Sequence, residues 1–267
     1  MAPSLEAPSL DALIDTMDDE LSRPVQVPEV LEREPGLSPH DAYDLQFALM
    51  ARRVARGDRI VGYKAALTSK AMQEETGIPE PLLGTLLASR VFPEGEALSL
   101  APFLRATLEP EIAVLLKSDL AGAAPTLPEV LAAVEGYLPA VEIGDYRTDP
   151  KARSLQQSVA CNTFNGGIVL GGPLTAPGGI DLRREGMSMT HNGEPAGSGT
   201  GVEVLGDPLR SVAFMAAILA EHGMGLKAGM ILMTGSIVAS IPLGPGDEVR
   251  VDFTRLGSLN LRVAVEG

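Results

Sequence analysis

The chain has 267 residues, 45% of them hydrophobic and 21% charged, with a formal net charge of −14. That is enough apolar material for one large domain or two smaller ones and too much for a disordered chain. The acidity argues against a nucleic-acid partner and means that an anionic substrate needs a local positive centre, a metal or a placed lysine.

The first residues, MAPSLEAPSLDALIDTMDDELSRP, are acidic rather than basic-then-apolar, so no signal peptide is expected. Leu10, Leu13, Ile14 and Met17 recur at helical spacing, with Asp11, Asp15, Asp18 and Asp19 on the other faces. After a proline-containing stretch, LSPHDAYDLQFALMARRVARG reads as a second helix with Ser38 as N-cap, Pro39 in the first helical position and Gly57 as the stop. Its apolar residues, Tyr43, Leu45, Phe47, Leu49 and Met50, make no single stripe, which predicts burial on more than one side. From Ile60 onward the texture changes to short apolar runs broken by glycine and proline. IVGYKAAL, IAVLLK, YLPAVEI, GGIVLGG and EVRVDF are expected strands. Two helices interrupt them, over 126–137 and 207–224, the second opened by the cap-and-proline pair Asp207-Pro208 and closed near Gly223. Between them Asn192-Gly193 predicts a hairpin, with the glycine-rich 197–206 as its return strand and loop. No apolar stretch is long enough to span a membrane; even 230–243 is broken by Thr234, Gly235, Ser236 and Pro242. A cytoplasmic protein is expected, with a helical N-terminal segment over 1–60 and a β-rich catalytic domain over 61–267.

Several residues invite a chemical reading. Glu109 and Glu111 lie one residue apart and so point to the same side of a strand, either as a solvated strand end or around a cation. Glu142 sits in the apolar run YLPAVEIGDYR, where it needs an arginine such as Arg147 or a cation. Together the three would offer the hard oxygen donors that Mg²⁺ or Mn²⁺ prefers. Lys64 lies in another apolar run and either snorkels to the surface or works as an acid or base in a dry pocket. The run GSGTGVEVLG lacks the ending of a phosphate loop, and His40, His191 and His222 share no ligand spacing, which reads as three surface or capping residues. Cys161, the single cysteine, reads as a small buried residue and precludes an intramolecular disulfide.

The stretches SPHDAYDLQ (38–46), VGYKAALTSKAMQ (61–73), EPLLGTL (80–86), LEPEIAVLL (108–116), LPAVEIGDYR (138–147), VACNTFNGG (159–167), GDPLRSVAF (206–214) and AGMILMTGSI (228–237) together resemble the 2-keto-4-pentenoate hydratase / 4-oxalocrotonate decarboxylase family, within the fumarylacetoacetate hydrolase superfamily. The resemblance covers nearly the whole chain. It implies an α+β fold, with the helical N-terminal segment packed on a mixed β-sandwich roll, and a homo-oligomer. It also implies that Glu109, Glu111 and Glu142 hold Mg²⁺ or Mn²⁺, that Lys64 is the pocket lysine, and that Thr234, Gly235 and Ser236 line the substrate site. The substrate would be a small 2-oxo- or 2-hydroxy-dienoate that chelates the cation through its carboxylate and C2 oxygen, with Lys64 moving the proton as the diene ketonises.

Departures from the family fall at the substrate end. Leu82 stands where hydratases carry an aspartate and decarboxylases an apolar residue. The run MTGSIVASIPLGPGD (233–247) also looks like the decarboxylases, whereas LTSKAMQ looks like the dienedioate hydratases. Cys161-Asn162-Thr163-Phe164 replaces a D-N-A-S run, losing an acid and gaining a ring, and Met230 stands where hydratases often have an acid. Leu82, Asn162 and Phe164 are therefore expected beside the substrate. The expected function is a metal-dependent lyase adding water to the dienoate. A 4-oxalocrotonate-type decarboxylase is the alternative, followed by an acylpyruvate C–C hydrolase, for which no His/Glu water-activating pair is evident, or a silent family member.

Overall fold

A computed structural model of the chain describes residues 10–27, 30–148 and 154–265. Helix α1 (Leu10–Ser22) buries the stripe Leu13, Ile14 and Met17 and turns Asp11, Asp15 and Asp19 outward, while Asp18 is buried. After the short α2 (Val30–Arg33), α3 (Pro39–Ala55) opens on a capping box in which Ser38 and Asp41 satisfy each other's backbone N–H groups. Tyr43, Leu45, Leu49 and Met50 of α3 are all buried, as the absence of a single stripe predicted. The aspartates of α1 meet arginines of α3: Asp11 and Asp15 pair with Arg52, and Asp18 with Arg53 and Arg56.

The body then runs β1 (Ile60–Ala66), α4 (Lys70–Thr76), β2 (Leu82–Leu87), β3 (Val91–Phe92), β4 (Ala97–Leu98), β5 (Ala106–Leu116), α5 (Leu127–Ala133) and β6 (Val134–Asp145). It continues through α6 (Leu155–Ala160), β7 (Asn165–Leu170), β8 (Gly186–His191), β9 (Glu194–Thr200), α7 (Pro208–Glu221), β10 (Ile231–Ser236), β11 (Ile241–Pro242), β12 (Glu248–Phe253) and β13 (Gly257–Val263). The larger sheet has the order β2-β1-β10-β5-β6-β7-β3, with β11 pairing the start of β5; the smaller has the order β4-β13-β12-β8-β9. Pairs β1/β10, β3/β7 and β4/β13 are parallel and the others antiparallel, so both sheets are mixed. Strand β6 packs against β12 and β13, and the sheets approach so closely that a Cβ at Gly171 would stand 2.8 Å from that of Leu259. One buried apolar cluster runs from Leu13 of α1 to Val263 of β13. The fold is α+β, with the N-terminal helices packed on a mixed two-sheet roll.

Two expected elements shift. The helix read over 126–137 stops at Ala133, because Val134 takes extended dihedrals and opens β6. β-branched Val134 suits a strand, and Gly136 is crowded by Thr175 O at 2.7 Å from a hypothetical Cβ, so only glycine fits there. The strand read from Ile112 starts six residues earlier, at Ala106, because the LEPE stretch pairs along its length with β6 and is flanked on its other side by β11 and the end of β10. The hairpin at Asn192-Gly193 joins β8 and β9, both turn residues having positive φ (52° and 83°). Among the described residues no helix is long and apolar enough to cross a membrane.

Candidate metal centre

The two-residue period of β5 puts Glu109 and Glu111 on one face, and the antiparallel register sets Glu142 of β6 directly opposite Glu109. One carboxylate oxygen from each of the three lies within 4.8 Å of the others. Pro110 stands between the two glutamates in a central strand, a place proline takes only where the ladder is interrupted. The interruption is present: the β10–β5 register shifts between Met233 and Ser236, around Gly235 at φ +112°. There the Gly235 N–H donates to Glu111 Oε2 at 2.7 Å, and Thr234 Oγ1 donates to Ile112 O at 2.9 Å. A Cβ on residue 235 would stand 2.1 Å from Thr68 Oγ1, so the bulge that serves Glu111 requires glycine.

Lys64 projects from β1, 3% exposed, with Nζ 3.1 Å from Glu142 Oε1. Gly84 opposite it on β2 leaves the room: a Cβ there would lie 3.2 Å from Lys64 Cε and 2.3 Å from Thr163 Oγ1. Asn165 Nδ2 also donates to Glu142 Oε1, at 2.9 Å. Glu142 is thus held by Lys64 and Asn165, whereas Arg147 turns away to Asp145 Oδ2 at 2.5 Å. The Tyr146 hydroxyl donates to Glu109 Oε1 at 3.1 Å.

Burial, then the negative charges of Glu142 and Glu109, push the Glu111 carboxyl well above the usual carboxylate range; Lys64 and the Gly235 N–H offset this only in part. Glu111 Oε1 and Glu142 Oε2 are buried without a donor among the described residues. Leaving such atoms unpaired costs about 1–3 kcal/mol each, more when charged. Two orphaned carboxylate oxygens in a cluster of three carboxylates, with one lysine against them, fit a hard divalent cation of the Mg²⁺ or Mn²⁺ type. The solvated-strand reading does not describe this strand, since Glu111 is wholly buried and Glu109 half-buried.

Lys64, Leu82, Glu109, Phe164 and Ser236 line one cavity of about 800 Å³, together with Tyr146, Thr163 and the apolar Leu67, Met72, Ile237 and Val238. The other three residues expected at the substrate do different work. Thr234 and Gly235 sit behind the carboxylates and fix the bulge, while Asn162 clasps β2, its Oδ1 accepting from Thr85 N at 2.6 Å and its Nδ2 donating to Thr85 O at 2.9 Å. That clasp holds three consecutive left-handed residues, Asn162, Thr163 and Phe164 (φ 53°, 49° and 58°), each costing about 1–2 kcal/mol outside asparagine or glycine. The turn delivers Phe164 to the cavity wall with its ring 5.6 Å from that of Tyr146.

A family model described as fumarylacetoacetate (FAA) hydrolase, C-terminal, matches residues 59–264. The chain belongs to the fumarylacetoacetate hydrolase family. It is 35% identical over 236 residues to the 4-oxalocrotonate decarboxylase of Pseudomonas sp. strain CF600, covering 88% of this chain and 89% of that one. It is also 35% identical over 233 residues to the 2-hydroxyhexa-2,4-dienoate hydratase of Comamonas testosteroni, covering 86% and 88%. Among solved structures, the 4-oxalocrotonate decarboxylase from Pseudomonas putida G7, complexed with magnesium and adipate, superposes with a TM-score of 0.91 at 34% identity, over 95% of this chain and 97% of that one. The hydratase and decarboxylase branches of the family are thus about equally close in sequence.

Tyr146 and Asn165 were not singled out in the sequence. Tyr146 could have been, lying four residues beyond Glu142 and so on the same face if the extended backbone continues. Asn165 gave no such signal, because only the pairing of β7 with β6 brings it beside Glu142.

Proposed function

We propose that this member of the family is a divalent-metal-dependent lyase that adds water to a 2-hydroxy-2,4-dienoate, giving a 4-hydroxy-2-oxo acid. The observation that carries this is the trio Glu109, Glu111 and Glu142, two with orphaned buried oxygens, with Lys64 against Glu142 and with Lys64 and Glu109 lining one cavity. The three glutamates would hold Mg²⁺ or Mn²⁺, and the cation when bound supplies a Lewis acid that offsets negative charge on the C2 oxygen of the substrate. The chain's own residues do the rest. Lys64 spends one donor on Glu142 and keeps others to give or take a proton as the diene ketonises. Leu67, Met72, Ile237 and Val238 keep the conjugated tail in apolar surroundings, and Tyr146 and Asn165 orient the outer glutamates. Hydration is then balanced by hydroxyl delivery to C4 and a proton to the neighbouring carbon.

A second reading, decarboxylation of a 2-oxo-enedioate, is favoured by Leu82, which puts a buried apolar side chain in the cavity wall. There the bond to the distal carboxylate breaks, its electron pair enters the conjugated system, CO₂ leaves and a proton replaces it. We further assign the protein to the cytoplasm as a homo-oligomer, a reading supported by the family resemblance.

The test is product analysis by NMR with Mg²⁺, offering 2-hydroxypenta-2,4-dienoate and 2-hydroxymuconate in parallel, with Glu109→Ala as control. A 4-hydroxy-2-oxo acid formed only by the intact protein supports the hydratase. CO₂ from the dicarboxylate supports the second reading, and turnover of neither substrate removes both.

A further inference from the structure

A second cluster forms where the start of α3 meets the end of α7. His40 lies in the first turn of α3, Asp44 one turn later on the same face, and His222 caps the C-terminal end of α7. His222 Nδ1 is 2.7 Å from Asp44 Oδ1, and its Nε2 is 3.2 Å from His40 Nδ1. One donor atom from each of the three lies within 4.8 Å of the others.

Three features make this more than a surface contact. First, the His222 side chain is only 4% exposed and fixed among rings, with centroids 4.3 Å from His40, 5.1 Å from Phe47 and 5.7 Å from Tyr43. Its orientation is therefore set before any ligand arrives. Second, an ionised carboxylate can only accept, so Nδ1 is the donor toward Asp44, and it is Nε2 that faces His40 and is offered to a ligand. This is the carboxylate–histidine arrangement that orients imidazoles at metal sites. Third, two nitrogens bound to one ion at about 2.0–2.1 Å, with an angle of about 100–110° between them, stand about 3.1–3.4 Å apart. The observed 3.2 Å falls within that range.

We propose that His40 and His222, with Asp44 fixing the tautomer and supplying charge, form a second cation site selective for a transition metal such as Zn²⁺, Ni²⁺ or Cu²⁺. Imidazole donors favour these ions, whereas Mg²⁺ wants oxygen ligands, so the two centres of the molecule select by donor type. A bound ion joins the start of α3 to the end of α7, tying the N-terminal helices to the catalytic body. The proposal is independent of the function assigned above.

The experiment is calorimetric titration of the full chain with Zn²⁺ in excess Mg²⁺, followed by thermal unfolding with and without Zn²⁺. The variants are His40→Ala, Asp44→Asn and, to disable the glutamate centre, Glu111→Gln. The expected result is one Zn²⁺ equivalent in the wild type and in Glu111→Gln, with a raised melting temperature in both. Binding should weaken at least tenfold or so in His40→Ala and roughly 10–100-fold in Asp44→Asn. His40 is exposed, so its loss spares the fold. The proposal is overturned if the wild type takes up no Zn²⁺ in excess Mg²⁺, or if His40→Ala binds as tightly as the wild type. Loss of Zn²⁺ only in Glu111→Gln also overturns it, and that result leaves the proposed function standing.

Discussion

Replacing Glu111 by glutamine separates a metal centre from a merely structural cluster, because the two predict opposite changes in stability. Glu111 is fully buried and has two other carboxylates with an oxygen within 4.8 Å. At that separation and an effective dielectric of about 20, each repulsion is about 3.5 kcal/mol. Two such repulsions, less an attraction of similar size to Lys64, leave on the order of 3 kcal/mol against the ionised residue. Glutamine removes the charge, keeps an oxygen for the Gly235 N–H and places a donor where the orphaned Oε1 stood. The metal-free variant should therefore melt higher than the metal-free wild type at pH 8, by roughly 6–12 °C at about 2–4 °C per kcal/mol. The wild type should also lose stability as pH rises above the ordinary carboxylate range. Unfolded Glu111 gives up its proton there, while folded Glu111, with its pKa raised, keeps it. The contribution is complete below the unfolded pKa and lost through the folded one, and the glutamine variant should lack that slope. Conversely, Mg²⁺ should raise the melting temperature of the wild type and leave the variant nearly unmoved. Differential scanning calorimetry across pH 5–9, in chelator and in Mg²⁺, reads all of these. An apo variant no more stable than the wild type, with its Mg²⁺ response intact, would refute the reasoning.

Lys64→Met should lower turnover by about 10²–10⁴-fold, the usual worth of a placed acid or base, while Mg²⁺ still binds because a competing positive charge has gone; turnover assays paired with Mg²⁺ calorimetry decide it. Tyr146→Phe removes the 3.1 Å hydrogen bond to Glu109 but keeps the ring beside Phe164, so Mg²⁺ affinity should fall roughly 10–100-fold with little change in metal-free stability. Asn162→Ala breaks both bonds to Thr85 and puts alanine at φ 53°, which should destabilise the protein by about 2–4 kcal/mol in denaturant unfolding.

Local order was written plainly along the chain. The Ser38 cap, the Asp207-Pro208 helix start and the Asn192-Gly193 hairpin each depend on residues within a few positions of one another, and each formed as its chemistry requires. The pair Glu109 and Glu111 was legible for the same reason, since the strand period alone puts both on one face. Other features depended on pairing between distant segments. The helix expected to reach Tyr137 gave way at Val134 because β6 had partners on both sides, a tertiary demand that outweighs local preference. Asn162 and Thr234 looked like substrate contacts, yet their polar atoms are occupied by the backbones of β2 and β5, which sequence spacing cannot reveal. His40 and His222 are 182 positions apart and meet only because α7 ends beside the start of α3.

By itself, then, the sequence determined the caps, turns and strand periods, the acidic surface, and the motifs that mark the family. Sheet order and register decided the rest: which carboxylate faces which, that Lys64 rather than Arg147 answers Glu142, and that two glutamate oxygens are left buried without a donor among the described residues. The physical reason is range. Capping and periodicity are settled within a turn or two of backbone, whereas burial and charge pairing are properties of the whole packed core.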